Sequence, residues 1–174
     1  MEQRPAAGRA ERRLPSFTPA QERVGNVLIR IMSTLNVWAF RASKGRIGGR
    51  FLRGAPVLLL TATGRKSGEP RTTPLLYLRD GERLVVVASK GGFSNHPLWY
   101  RNVEANPHVQ IELGSERREM LARRASEAEK AALWPRLVAM YRDFDDYQAR
   151  TDRDIPVVIL SPAFSPRSCG ARAS

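Results

Sequence analysis

Residues 56–63 (Pro56-Val57-Leu58-Leu59-Leu60-Thr61-Ala62-Thr63) and 70–78 are two strand-forming runs joined by Gly64-Arg65-Lys66-Ser67-Gly68, so the pair is expected to fold back on itself. Two glycines free the backbone for a tight turn. Two adjacent cations and a hydroxyl sit at its tip. Such a tip can present backbone N–H groups, a forked guanidinium and a point charge to one anion. It is not a Walker loop, because the spacing from glycine to Gly-Lys is wrong and no helical pattern follows. The chemistry reads as a phosphate or carboxylate site between strands. A basic hairpin tip bathed in solvent fits the same residues.

The chain of 174 residues, 42% of them hydrophobic, suits one domain with its own core. No apolar run approaches the roughly 20 residues that cross a bilayer. The polar, arginine-rich start lacks the apolar stretch of a secretory signal. Cys169, the only cysteine, can form no internal disulfide, which fits a reducing cytoplasm. The net charge of +12 is uneven: residues 1–54 carry ten Arg and one Lys against three Glu, leaving the remainder near +4. A nucleic-acid binder more often interleaves basic residues with exposed aromatics across its folded body, so no nucleic-acid partner is expected. The asymmetry points to a basic arm that touches something anionic, such as the inner face of the cell membrane. An arginine-rich solvated tail has the same composition.

Residues 1–17 read as a disordered basic arm, 18–162 as one domain and 163–174 as a disordered tail. Thr18-Pro19-Ala20-Gln21 is a capping box with proline at the first helical position. Val24, Val27, Leu28, Ile31, Met32, Leu35 and Trp38 then recur at spacings of three and four, predicting an amphipathic helix to about Phe40. Arg41 to Gly54, with four glycines, reads as a loop. Further strands are expected over 83–89, after the Asp80-Gly81 turn, and over 108–113, 117–124 and 155–160. Helices are expected over 95–105 and from the second capping box, Ser126 to Glu129, to about Arg142. Asp143, Asp145, Asp146, Asp152 and Asp154 look like a solvated loop. The predicted fold is α+β: a barrel-like sheet of about six mainly antiparallel strands with flanking helices.

A metal site is poorly supported, since His96 and His108 are the only histidines. No Gly-x-Ser-x-Gly nucleophile motif occurs. What remains is anion-binding residues plus aromatics: the basic loop, Lys90 at the Ala88-Ser89-Lys90-Gly91-Gly92 turn, Tyr77, Trp99 and Tyr100. A flat ring with a phosphate tail suits such a lining. A tryptophan like Trp99 is more often core than a stacking wall, and a lysine like Lys90 more often a solvated charge.

The segments Thr61 to Gly68, Arg71 to Leu75, Ala88 to Gly92, His96 to Asn102 with Ala105-Asn106-Pro107, and Tyr147 to Pro156 occur in this order, and together they resemble the deazaflavin-dependent nitroreductase family. The resemblance covers about residues 35–162. It implies a split β-barrel of the FMN-binding type that takes the 8-hydroxy-5-deazaflavin coenzyme F-420, with its phosphate and oligoglutamate tail. It also implies hydride transfer from the reduced coenzyme to a quinone, nitro compound or enone. By the resemblance, Arg65, Lys66, Ser67 and Arg71 hold the phosphate and tail. Thr72, Thr73, Pro74, Leu75, Leu76 and Tyr77 border the coenzyme. Ala88, Ser89, Lys90, Leu98, Trp99, Tyr100, Arg101 and Asn102 flank the deazaflavin. Ser89, Tyr141, Phe144 and Tyr147 are candidates on the acceptor side, with no catalytic residue certain. Prodrug-reducing members carry a tyrosine at the position of Phe144, so weak activity on nitroimidazole prodrugs is implied here. FMN in the same barrel is the alternative cofactor, and a non-catalytic coenzyme-storage protein the alternative role.

Overall fold

Six antiparallel strands close into a barrel in the order β1-β2-β3-β6-β5-β4. They are β1 (Val57–Thr63), β2 (Pro70–Asp80), β3 (Arg83–Val87), β4 (His108–Leu113), β5 (Glu116–Arg124) and β6 (Val157–Pro162). The computed structural model describes residues 14–43, 46, 49 and 54–163. Residues 1–13 of the arm, most of the glycine-rich lead-in and residues 164–174 with Cys169 lie outside the described residues, as do the side chains of 27–33.

The two expected turns form. Val57 to Thr63 pairs with Leu76 to Pro70 across the basic loop. Asp80 pairs with Arg83 across Gly81, whose φ of 63° demands glycine. Side chains alternate across each strand. Leu58, Leu60, Ala62, Leu84, Val86, Val109, Ile111, Met120, Val158 and Leu160 fill the barrel. Val85, Val87, Val157 and Ile159 point outward into a second core with Leu133, Leu137, Tyr141 and Phe144. Covered on both faces, residues 84–87 of β3 and 157–160 of β6 therefore read as unbroken apolar runs.

Among the described residues the α-helices around the barrel are α1 (Pro19–Ala42), α2 (Leu98–Ala105), α3 (Glu127–Met140) and α4 (Asp143–Ala149), with one 3-10 turn at Lys90–Gly92. Both capping boxes close, Thr18 with Gln21 and Ser126 with Glu129. Helix α4 corrects the reading of Asp143 to Asp146 as a solvated loop: it carries Phe144 into the second core, and its acids fall in the first turn, where the helix dipole favours them. The predicted helix over 95–105 starts only at Leu98, because Pro97 holds extended backbone. The last strand begins at Val157 rather than 155.

Helix α1, about 36 Å long at 1.5 Å per residue, is fastened at both ends. Near its C-terminus the Arg41 guanidinium grips the buried Glu112 carboxylate, with Nη2 at 2.5 Å and Nε at 3.1 Å from Oε1. Near its N-terminus Glu22 accepts from the Ser94 N–H at 2.7 Å and from the Ser94 hydroxyl at 2.9 Å. A Cβ at Gly25 would lie 2.6 Å from the Phe93 ring, so the helix presses on Phe93 only because that residue is glycine. Residues 14–17, assigned by sequence to the disordered arm, lie against the domain: the Leu14 N–H donates to the Ala149 carbonyl at 3.0 Å, and Phe17 meets Phe93 edge-on at 5.2 Å.

Candidate functional site

The basic loop is built by its glycines. The Gly64 N–H donates to the Glu69 carbonyl at 2.8 Å, and the Gly68 N–H returns to the Gly64 carbonyl at 2.7 Å. A Cβ on Gly64 would fall 2.8 Å from Ser67 Oγ and 3.0 Å from the Glu69 carbonyl oxygen, and Gly68 has φ 71°. Helix α2 braces this turn, with Asn102 Oδ1 accepting from the Arg65 N–H at 3.2 Å. Arg65, Lys66, Ser67 and Arg71 are exposed. Arg41, Arg83, Arg118, Arg123, Arg124, Lys130 and Arg136 are all spent on carboxylates. Among the described residues, no carboxylate pairs with Arg65, Lys66 or Arg71.

Strand β2 leads away from the loop, and the run Thr72 to Tyr77 divides between its faces. Leu75 and Tyr77 pack against the barrel core, while Leu76 packs against the second core. Thr72 shares a hydrogen bond with Thr61 (2.8 Å between hydroxyls) and accepts one from Arg41 at 3.4 Å. No residue of β2 is fully buried, although Leu75, Leu76, Tyr77 and Leu78 are large and apolar. The strand is thus an incompletely covered apolar floor between α1 and the α3–α4 layer.

The Ser89–Lys90 turn is strained and packed. Lys90 has φ 48°, a conformation uncommon for a residue with a Cβ, and Gly91 and Gly92 follow at 66° and 81°. A Cβ on Gly92 would sit 2.8 Å from the Tyr147 carbonyl oxygen, so the turn touches the α4 backbone. Burial, then the positive charge of Arg101 and Arg153, lowers the Lys90 pKa against the opposing pull of Glu22. Arg153 holds the turn from behind: Nη2 donates to the carbonyls of Ser89 at 2.7 Å and Ala88 at 3.3 Å, and Nε to that of Phe93 at 2.8 Å. Its Nη1 lies 3.2 Å from His96 Nδ1. Gln148 fixes the Arg153 segment in turn, donating to its carbonyl at 3.0 Å and accepting from the Ile155 N–H at 3.0 Å. Neither Arg153 nor Gln148 was selected by sequence, because their partners are carbonyls and amides that leave no pattern.

Beside the turn, the hydroxyls of Tyr141 and Tyr147 lie 3.2 Å apart. Burial and the bond to Tyr147 raise the Tyr141 pKa, so that phenol stays protonated at neutral pH. Phe144 is 3% exposed, edge-on to Tyr141 at 5.2 Å and 6.5 Å from Trp134, within the second core. Of the α2 residues, Trp99 and Tyr100 are buried in the barrel core, their rings edge to face at 6.0 Å. Leu98 is exposed and Arg101 half-exposed. The Tyr100 hydroxyl is buried, and burial, followed by nearby Glu104, pushes its pKa up to about 12. The geometry thus joins the loop, Arg71 and Asn102 at one end of β2, and Ser89, Lys90, Tyr141 and Tyr147 around the α4 turn. It sets Trp99, Tyr100 and Phe144 into packing. Among the described residues, no cluster of metal-ligating side chains occurs.

The sequence pattern of the F420H(2)-dependent quinone reductase family matches residues 32–162. The chain is 48% identical over 117 residues to Rv3178 of Mycobacterium tuberculosis (strain ATCC 25618 / H37Rv), spanning 67% of this chain and 98% of that protein. It is 40% identical over 144 residues to the F420H(2)-dependent quinone reductase Rv1261c of the same strain, spanning 81% of this chain and 94% of the relative. Among solved structures, an F420-H2 dependent reductase (FDR-A) superposes with a TM-score of 0.57 at 40% identity, over 61% of this chain and 94% of that one.

Proposed function

The chain belongs to the F420H(2)-dependent quinone reductase family, and from that premise we propose that it passes a hydride from reduced coenzyme F-420 to a quinone, with the residues of the basic loop, β2 and the Ser89–Lys90 turn as its site. The observation that carries this reading is the set of exposed cations Arg65, Lys66 and Arg71, which have no carboxylate partner among the described residues, at one end of a half-covered apolar strand. A phosphate and oligoglutamate tail is polyanionic and suits the first. A tricyclic ring suits the second.

The residues fit the coenzyme, and each has a part. Arg65 and Lys66 supply charge for the tail, and Arg71 rises beside them, its Cγ 3.6 Å from where a Gly64 Cβ would stand. Asn102 holds the loop backbone in place. Leu76 and Pro74 lie on the outer face of β2, offering apolar floor. When bound, the deazaflavin supplies the hydride, so the protein needs no nucleophile of its own. Tyr147, half-exposed, and its bonded partner Tyr141 offer a neutral phenol to an acceptor oxygen on which negative charge develops. Phe144, buried beneath them, supports the pair by packing.

The test is direct: purified protein is loaded with reduced coenzyme F-420, and the return of deazaflavin absorbance is followed on adding a soluble quinone. Oxidation with F-420 and none with reduced FMN is the expected result. Tight binding without turnover on quinones, nitro compounds or enones would instead identify a storage protein.

The outer face of α1 supports a place for the acceptor at a membrane surface. Val24, Leu35 and Trp38 are 71%, 60% and 73% exposed, and at 100° per residue they fall within about 60° of one another on the helix. This outward stripe, beside a segment that carries +8 over residues 1–54, supports peripheral contact with anionic membrane, where lipid-soluble quinones reside. No helix among the described residues is long and apolar enough to cross a membrane.

A further inference from the structure

We propose that Arg153 is the positioning residue of the site: it holds the Ala88, Ser89 and Phe93 carbonyls so that the Ser89 and Lys90 amides face the coenzyme ring, and it does so only while His96 is unprotonated. The inference rests on the coenzyme reading above and assigns to this chain a control that the reading does not contain.

The contacts of Arg153 are unusual for a half-buried guanidinium. All four are to neutral acceptors: three backbone carbonyls and one imidazole nitrogen. A desolvated cation without a bonded carboxylate is a poor source of stability. Its rigid fork, however, can span several acceptors at fixed angles, which a lysine cannot do. The acceptors it spans bracket the residues that need restraint, since Lys90, Gly91 and Gly92 all lie at positive φ. A planar trans peptide points its N–H away from its C=O. Carbonyls of Ala88 and Ser89 drawn onto Arg153 therefore turn the Ser89 and Lys90 N–H groups to the opposite side. Among the described residues, neither N–H has a protein acceptor. Two adjacent donors, backed by a cation that polarises them, suit the electron-rich carbonyl edge of a flavin-like ring.

His96 makes the arrangement conditional. Arg153 has only donors, so His96 Nδ1 must accept, which requires a neutral ring with its proton on Nε2. Protonation would set an N–H against a guanidinium. The surroundings already favour the neutral ring: burial first, then Arg153, with Arg101 of α2 and Arg124 of β5 adding positive charge and only Glu104 of α2 opposing. Tyr100, its ring tilted against His96 at 5.2 Å, is uncharged across this range. Around Arg153 itself, Asp154 and Glu22 of α1 are the nearby acids, and neither bonds to it.

The experiment titrates coenzyme F-420 by fluorescence between pH 5 and 8 with wild type, Arg153→Gln, Arg153→Lys, His96→Asn and Lys66→Ala, and follows the His96 ring by NMR in the unliganded proteins. Wild-type affinity should fall as pH drops below the ordinary histidine range. Arg153→Gln should bind about tenfold more weakly, the scale seen when a supporting residue behind a ligand site is lost, with a flat pH profile and a His96 pKa returned upward. Arg153→Lys should recover only part of the affinity. His96→Asn keeps an acceptor that cannot titrate, and should bind at full strength at every pH. Lys66→Ala should bind weakly but retain the wild-type pH profile. Full rescue by Arg153→Lys, or a pH profile untouched by Arg153→Gln, overturns the proposal. Failure of the wild type to bind F-420 overturns the coenzyme reading itself, and a His96 titration that still moves with Arg153 tells that failure apart from failure of the strut.

Discussion

Asn102 Oδ1 accepts the Arg65 backbone N–H at 3.2 Å, tying the tip of the β1–β2 loop to a side chain that is 6% exposed on α2. A buried amide anchors a loop only while its own hydrogen bonds are made. Asn102→Ala should therefore cost about 1–3 kcal/mol of stability through the unpaired N–H, and should weaken coenzyme binding although Asn102 carries no charge. Urea unfolding beside fluorescence titration checks both. Unchanged affinity in a destabilised variant would show that the loop keeps its shape without the anchor.

Lys66 and Arg71 are exposed and, among the described residues, have no carboxylate to release. Lys66→Ala and Arg71→Ala should each weaken F-420 binding by about 1–3 kcal/mol, the scale of a charge-assisted hydrogen bond. The melting temperature should stay within a degree or two, since exposed substitutions usually act within about 0.5 kcal/mol. The loss should shrink with a coenzyme form whose tail bears fewer glutamates. Equal affinity of the double variant and wild type would move the tail elsewhere.

Tyr147 and Phe144 are three residues apart on α4, yet one is half-exposed and the other lies in the second core. Tyr147→Phe should lower kcat for quinone reduction by about tenfold, roughly one hydrogen bond's worth at 1.36 kcal/mol per decade, with coenzyme affinity and melting temperature nearly unchanged. Phe144→Ala should cost about 3–5 kcal/mol of stability, the range for emptying a buried aromatic site. A Tyr147→Phe enzyme with full activity would remove the phenol from the acceptor side.

Asp80, at the β2–β3 turn, bonds to Arg136 of α3 at 2.8 Å and to Arg83 at 2.5 Å. The bond to Arg136, then that to Arg83, holds its carboxyl below the usual carboxylate range. A lowered folded-state value means that the unfolded chain binds the proton more readily. The stabilisation is therefore complete above the ordinary carboxylate pKa near 3.9 and is lost as pH falls through the lower folded value. Asp80→Asn should flatten the acid limb of stability below about pH 4, read from urea midpoints between pH 2.5 and 7. An acid limb identical to wild type would assign it to other carboxylates, such as Glu129, whose pKa is near 2 through Arg123 and Ser126.

Local signals carried most of the fold. Capping boxes at Thr18 and Ser126, the Asp80-Gly81 turn and the alternating strands all act within a few residues, and each formed where the sequence places it. Helix α4 was missed because its acids dominate the local composition, while Phe144 and Tyr147, three apart, carry its helical period. The site was legible where it depends on residue type in a loop, as at Gly64 to Gly68. It was not legible at Arg153, whose acceptors lie 57 to 65 residues away and are mostly backbone. Nor could the run Thr72 to Tyr77 be divided until the strand's faces were known, since alternation sends neighbours to opposite cores.

The exposed stripe on α1 gives the last prediction. Burying an apolar side chain of the size of Val24, Leu35 or Trp38 is worth about 1.5–3 kcal/mol, and each basic residue near an anionic surface adds about 1 kcal/mol. Three partly inserted side chains with several arginines behind them suffice for reversible membrane binding, and the charge makes it depend on anionic lipid. Full-length protein should co-sediment with vesicles containing phosphatidylglycerol and much less with neutral ones, and 0.5 M salt should release it, since that concentration shortens the screening length well below 10 Å. Val24→Ser, Leu35→Ser and Trp38→Ser combined should abolish sedimentation while leaving turnover of a water-soluble quinone intact, because all three side chains point away from the barrel. A lipid-bound quinone presented in vesicles should then be reduced far more slowly by the triple variant than by wild type. Equal sedimentation of both proteins, or indifference to anionic lipid, would detach α1 from the membrane and leave the stripe unexplained by it.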